Sequence, residues 1–82
     1  MSNIYDGVVN TENEYVGIES KLSISLTADH QYSFQLQGGN CIISKSNEGG
    51  IVLVDSIPFN FTKGSGETIY IRTVTPSKIC IM

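Results

Sequence analysis

The residues able to do chemistry in this chain are few: one histidine, His30, directly after Asp29; two cysteines, Cys41 and Cys80; a glycine-rich stretch, Lys63-Gly64-Ser65-Gly66-Glu67; and four tyrosines, Tyr5, Tyr15, Tyr32 and Tyr70. A nucleophilic thiol needs a neighbouring base or cation that lowers its pKa. No such set stands beside Cys41 or Cys80, and Asp29-His30 has the composition of a polar turn. Two cysteines and one histidine do not make up the four ligands of a structural zinc site, and no Cys-x-x-Cys pair or carboxylate cluster assists them. The sequence reads as that of a protein that is not an enzyme, with no catalytic residue, no metal site and no cofactor. Both cysteines fall in strand-like runs and read as small buried hydrophobes. A disulfide would require their strands to adjoin, since Cα atoms more than about 7 Å apart do not bridge.

The glycine-rich stretch raises the possibility of a phosphate cradle. A nucleotide-hydrolase loop needs Gly-x-x-x-x-Gly-Lys-Ser/Thr between a strand and a helix, so that backbone amides and a helix N-terminus face the phosphate. Here lysine precedes the glycines, and the run that follows, "TIYIRTV", is a strand. The dinucleotide pattern fails as well, because its third glycine position is Ile69. Gly64 and Gly66 are therefore expected to supply positive φ in a loop between two strands, with Glu67 adding solvation.

Composition limits what the chain can bind. Its 82 residues form one domain, residues 1–82, with 40% hydrophobic and 16% charged residues. That is neither the charged, apolar-poor composition of a disordered segment nor a membrane protein, since no apolar run approaches the roughly 18 residues of a helical span. The N-terminal "MSNIYDGVVN" lacks the basic and apolar regions of a signal peptide, so a cytosolic chain is expected and the Asn60-Phe61-Thr62 sequon carries no consequence. Residues 1–40 hold five carboxylates, Asp6, Glu12, Glu14, Glu19 and Asp29, against Lys21, a balance of −4. Residues 41–82 hold Lys45, Lys63, Arg72 and Lys78 against Glu48, Asp55 and Glu67, a balance of +1. Cations this few and scattered argue against a nucleic-acid partner. The asymmetry is compatible with copies packing acidic face to basic face.

The elements that would position these residues are strands. "KLSISLT" alternates Leu22, Ile24 and Leu26 against Ser23, Ser25 and Thr27, and "QYSFQLQ" alternates Tyr32, Phe34 and Leu36 against Ser33, Gln35 and Gln37. Ala28–His30 between them reads as a hairpin turn. Gly38-Gly39-Asn40 and Asn47–Gly50 are further turn signals on either side of "CIIS". The β-branched run "IVLVDSI" suits a strand covered on both faces. Pro58, which cannot donate to a ladder, belongs at an edge, a bulge or a strand switch. Phe59 and Phe61 share one face, and in "TIYIRTV" Ile69, Ile71 and Thr73 oppose Tyr70, Arg72 and Val74. "ICIM" forms a last strand that must be paired, in this fold or in a neighbouring subunit. Apolar residues nowhere recur at helical spacing, and Gly17 interrupts the one ambiguous segment, "EYVGIES", so no helix is expected. The fold class that follows is all-β: a small antiparallel sandwich or barrel of seven to eight short strands. The amphipathic side of the Tyr70–Arg72 strand and the apolar terminal strand give the candidate contact residues: Tyr70, Arg72, Ile79, Ile81 and Met82.

"IPFNFTKGSGETIYIRT", preceded by "YSFQLQGGNCIISKS" and followed by a short apolar C-terminal strand, resembles small tailed-phage virion proteins. In those a Pro-Phe-x-Phe/Tyr segment, a glycine-containing turn and an Ile-Tyr-Ile-Arg/Lys-Thr strand recur in chains of similar length. The resemblance covers about residues 32–82, with an echo in "SNIYDGVV". It implies a non-enzymatic β-sandwich component of the virion, a capsid decoration or head-fibre-base protein. Such a protein is assembled in the bacterial host cytoplasm and forms a homo-oligomer, in its simplest geometry a trimer, on the major capsid protein or another virion protein. Many weak contacts would then combine through effective concentration. The alternative is a free ligand-binding module of sandwich form that takes carbohydrate on its tyrosines and Asn/Gln-rich turns.

Overall fold

In the computed structural model, residues 4–82 are described. They form eight strands and one short helix: β1 (Tyr5–Val9), β2 (Val16–Gly17), α1 (Ile18–Leu22), β3 (Gln31–Leu36), β4 (Cys41–Ser44), β5 (Ile51–Val52), β6 (Phe59–Thr62), β7 (Tyr70–Thr73) and β8 (Ser77–Ile81). The strands make two four-stranded sheets, β1-β8-β3-β6 and β2-β7-β4-β5, in which every neighbouring pair is antiparallel. The all-β expectation holds, and the architecture is two stacked sheets with separate edges.

The pairings nest: β1 with β8, β2 with β7, β3 with β6, β4 with β5. The chain behaves as one long antiparallel hairpin, turning over at β4–β5, whose successive levels go alternately to one sheet and the other. That is the strand order of a jelly roll. Of the sequential hairpins expected, only β4–β5 exists. The Gly38–Asn40 turn carries the chain from one sheet to the other, since β3 and β4 lie in different sheets. At this corner Gly39 has φ 96°, and a Cβ there would run into Ser77. The Ser77 hydroxyl accepts from the Asn40 amide at 2.9 Å and lies 2.9 Å from the Asn40 carbonyl, so the turn is tied to the start of β8.

The largest departure from the expected elements is residues 18–30. "KLSISLT" is not a strand. Ile18–Leu22 is a five-residue helix, begun at Gly17 and ended by Ser23 in the left-handed region, whose amide bonds the Glu19 carbonyl. A helix this short never completes enough turns for a 3.6-residue period to emerge, and Gly17, read as an interruption, marks its N-cap. The alternation was real nonetheless: Leu22 and Leu26 are buried and Ile24 half-buried. Their backbone is held by contacts outside any ladder. Ile24 N–H reaches the Glu19 carbonyl at 3.1 Å, Thr27 N–H the Tyr32 hydroxyl at 2.6 Å, and the Lys63 ammonium donates to the Leu26 carbonyl at 3.4 Å.

The core lies between the sheets. Val9, Tyr32, Phe34, Leu36, Ile79 and Ile81 come from one sheet, Cys41, Ile43 and Ile71 from the other, and Ile18, Leu22, Leu26, Leu53 and Ile69 from the connections. Phe59 and Phe61 pack against it from β6 on a shared face, as their spacing requires. The connector between β1 and β2 is clamped by a buried pair of threonines. Thr11 N–H donates to Thr73 Oγ1 and Thr73 N–H to Thr11 Oγ1, both at 2.8 Å, while the Thr11 hydroxyl lies 3.3 Å from the Thr73 carbonyl.

The expected C-terminal strand is β8. It sits between β1 and β3, and beyond it Met82 exchanges backbone hydrogen bonds with Ser33 at 2.9 and 3.0 Å. Pro58 directly precedes β6, the edge strand of the β1-β8-β3-β6 sheet, so of the positions expected for it the edge is the one realised; the chain has changed sheets already by Asp55, which bridges Leu36. In the "SNIYDGVV" echo, Ser2 and Asn3 lie outside the described residues; the rest runs from Ile4 into β1.

Candidate interaction face

The outward faces of the two sheets differ in chemistry. Residues alternating away from the core present Asp6, Val8, Ser33, Gln35, Asn60, Thr62, Lys78 and Cys80 on the β1-β8-β3-β6 side, a mostly polar set. On the β2-β7-β4-β5 side the same parity gives Tyr70, Arg72, Ile42, Ser44 and Val52. Register places Arg72, Ile42 and Val52 in one row across three strands. Val74 follows directly after the end of β7, and Val54 lies two residues beyond the end of β5. They are 52% and 57% exposed, and Val52 is 64% exposed. Arg72 is held flat on this face. Its Nε donates to Asn13 Oδ1 at 2.8 Å and its guanidinium carbon lies 5.5 Å from the Tyr15 ring centroid, within the range of a cation–π contact. The Tyr15 hydroxyl in turn donates to the Gly49 carbonyl, which closes the row against the β4–β5 loop.

Of the five expected contact residues, the structure brings two together here. Tyr70 and Arg72 are half-buried neighbours on the outer face. Ile79 and Ile81 require correction, being 2% and 0% exposed. β8 is an interior strand of its sheet, so its alternate residues point into the core and are spent on this fold rather than on a partner. Met82 is 41% exposed, but it follows β8 and so belongs to the opposite sheet.

The face also contains residues that sequence reasoning missed: Tyr15, Ile42 and Val52. The "IVLVDSI" run was expected to be covered on both sides, yet Ile51, Val52, Val54 and Ile57 are 50–64% exposed and only Leu53 is buried. β5 pairs with β4 alone and is the edge of its sheet. Beyond it Asp55 makes a single parallel bridge to Leu36 of the other sheet. Edge strands are usually guarded by lysine or another charge. Between Lys45 and Lys63 this chain has no cation at all.

The other chemistry-bearing residues are placed as follows. His30 stands against Tyr32 with ring centroids 4.8 Å apart. Cys41 and Cys80 are both buried and free, on strands of different sheets. Burial pushes the Cys41 thiol up to about 12, and burial followed by the Asp6 carboxylate raises that of Cys80 against the opposing pull of Lys78. No group of three or more His, Cys, Asp or Glu able to hold a metal ion occurs among the described residues.

The glycine loop has a use unlike the one first considered. Gly66 alone takes positive φ, at 77°. Gly64 serves by its size, because a Cβ there would meet the Glu67 carboxylate, which accepts a hydrogen bond from the Gly64 amide. The loop therefore binds its own anion. That hydrogen bond, and then Lys45 at 3.3 Å and the charge of Lys63, hold the Glu67 carboxyl below the usual range. A cavity of about 290 Å³ opens between Gly17–Ser20 and the Lys63–Ile69 loop. Its charged groups are engaged with one another, Lys63 with Glu19 at 3.2 Å and Glu67 with Lys45 and Gly64.

No protein-family model, no curated protein and no solved structure matches the chain.

Proposed function

We propose that this protein is a non-enzymatic structural component of a phage virion, a small homo-oligomeric decoration or auxiliary protein that binds the head lattice of the capsid. The observation that carries the reading is the exposed aliphatic surface of residues 51–57 and of the outer β2-β7-β4-β5 face. Four branched aliphatic side chains at least half exposed within seven residues, at an edge strand with no cation nearby, are the mark of a surface that is covered in use. The jelly-roll order adds support by analogy, since viral capsid proteins use that fold; lectins and cupins share it, so the order alone does not choose among them. Size supports the same reading, because a single core in 82 residues leaves a small stability margin that assembly would supplement. In this reading the protein acts inside the assembled particle, and multivalency on the lattice converts weak single contacts into firm attachment.

The test is the solution mass by light scattering over a dilution series, together with co-sedimentation with purified tailed-phage capsids. A closed oligomer that pellets with capsids supports the proposal; a monomer at every concentration that stays in the supernatant overturns it.

A further inference from the structure

We propose that the lateral side of the sandwich traced by residues 51–62 takes an extended segment of another protein as an added strand along β5, a segment of aliphatic residues flanked by lysine or arginine. This rests on the lattice-binding part of the function proposed above and names the surface and the chemistry of its partner.

The topology leaves both sheets open on this side, with β5 the edge of one and β6 the edge of the other. Between them Asp55 bridges Leu36. Because β8 holds the other side of Leu36, Asp55 lies on the side of β3 that β6 takes up further along. The Leu53 amide donates to the Cys41 carbonyl at 2.9 Å. Successive residues of an antiparallel strand turn their backbone groups to opposite sides, so the Val52 N–H and C=O face away from β4, toward the open side. Main-chain groups of this kind take up an added strand, and the side chains beside them set which one. Here those side chains are apolar: Ile51, Val52, Val54 and Ile57 are exposed, and Phe59 and Phe61 half-buried.

Charge selects the partner. Glu48 precedes the run and Asp55 follows Val54; both are exposed, and neither enters an ion pair among the described residues. The nearest cations along the chain, Lys45 and Lys63, are engaged by Glu67 and Glu19. Antiparallel pairing of two β5 edges about Val52 would bring the Glu48 end of one copy to the Asp55 end of the other. That sets carboxylate to carboxylate on a chain whose formal charge is already −3. A foreign segment with a cation at each end meets both carboxylates and lays its apolar residues on the aliphatic ground between them.

The experiment follows fluorescence anisotropy of two labelled, end-capped peptides, Lys-Val-Thr-Val-Thr-Val-Lys and Glu-Val-Thr-Val-Thr-Val-Glu, titrated with the whole chain. Wild type is compared with Val52→Pro, which removes the outward N–H at an edge position, and with the double variant Glu48→Lys, Asp55→Lys; circular dichroism melts confirm that each folds. Wild type is expected to bind the basic peptide about tenfold or more tighter than the acidic one at low salt, with the gap narrowing as salt rises. Val52→Pro is expected to weaken the basic peptide about tenfold, and the double variant to reverse the preference. If Val52→Pro does not fold, the reversal decides. No binding of either peptide up to about 1 mM, or binding that Val52→Pro leaves unmoved, overturns strand addition at β5. Equal affinities for the two peptides, or a preference that the double variant does not reverse, overturn the basic partner. A wild type that self-associates in sedimentation velocity and is dispersed by Val52→Pro makes a second copy the occupant and overturns the proposal. Co-sedimentation with tailed-phage capsids separates this inference from the reading it rests on. Pelleting that survives Val52→Pro overturns this edge as the lattice contact and leaves the virion function standing. Basic-peptide binding by a chain that ignores capsids supports the edge and overturns the lattice as its partner.

Discussion

Two apolar runs in this chain, "IVLVDSI" at 51–57 and "ICIM" at 79–82, look interchangeable and meet opposite fates. β8 is paired on both sides, and Ile79 and Ile81 are sealed in the core. β5 is paired on one side, and of its run only Leu53 is buried. The difference teaches that a run of branched aliphatics encodes an extended backbone and an apolar contact, but not with whom. β8 finds its contacts inside the fold. The 51–57 segment holds most of its aliphatic surface toward solvent, and the proposed partner gives that surface a use.

The comparison breaks most visibly if the two runs respond alike to truncation. Ile81→Ala should lower the free energy of unfolding by about 2–5 kcal/mol in chemical denaturation, the usual cost of a core cavity. A loss under about 1 kcal/mol would mean that β8 is not the packed centre described here. Thr73→Val comes next, because it removes the acceptor of the buried Thr11 amide and should cost about 1–3 kcal/mol. Thr73→Ser keeps the acceptor and should recover much of that, which separates the clamp from general packing. Val52→Thr should change unfolding of the dilute protein by less than about 0.5 kcal/mol. A core-sized loss there would place residue 52 in the interior and erase the contrast.

The smallest effect is one of pH. With its carboxyl held below the ordinary range, Glu67 contributes stability above the pKa of an unfolded glutamate. That contribution fades as pH falls through the lowered folded value, since the unfolded chain binds the proton first. Wild type should therefore lose stability on acidification slightly faster than Glu67→Gln when denaturation midpoints are followed from neutral pH down to about pH 3. Identical pH profiles would show that the Gly64–Glu67 contact does not persist in solution.

Much of the candidate face was present in the sequence as alternation. Tyr70 and Arg72 oppose Ile69 and Ile71 in any extended reading, and that half of the face was legible. Ile42 and Val52 join it only through register, Arg72 opposite Ile42 and Ile42 opposite Val52, which depends on segments far apart in the chain. Tyr15 and Asn13 join through a connector in irregular conformation, with Glu12 and Asn13 both at positive φ, for which no short-range signal existed. Residues 22–27 show the converse, a true inward pattern that needed no ladder to be realised.

What the sequence determined by itself is the all-β class, the inward set Tyr32, Phe34, Leu36, Ile69, Ile71 and Thr73, a turn at Gly38–Asn40 and an edge position at Pro58. Each follows from side-chain alternation, glycine geometry or the missing proline donor, properties that act within a few residues. Which strands pair was decided only by the tertiary structure, for an extended run carries no label of its partner. Nesting β1 with β8 and β2 with β7 joins residues more than fifty positions apart. That long-range choice put Ile79 and Ile81 in the core and left Val52 and Val54 at an open edge, because a strand's burial is set by the neighbours on its two sides and by the sheet stacked against it.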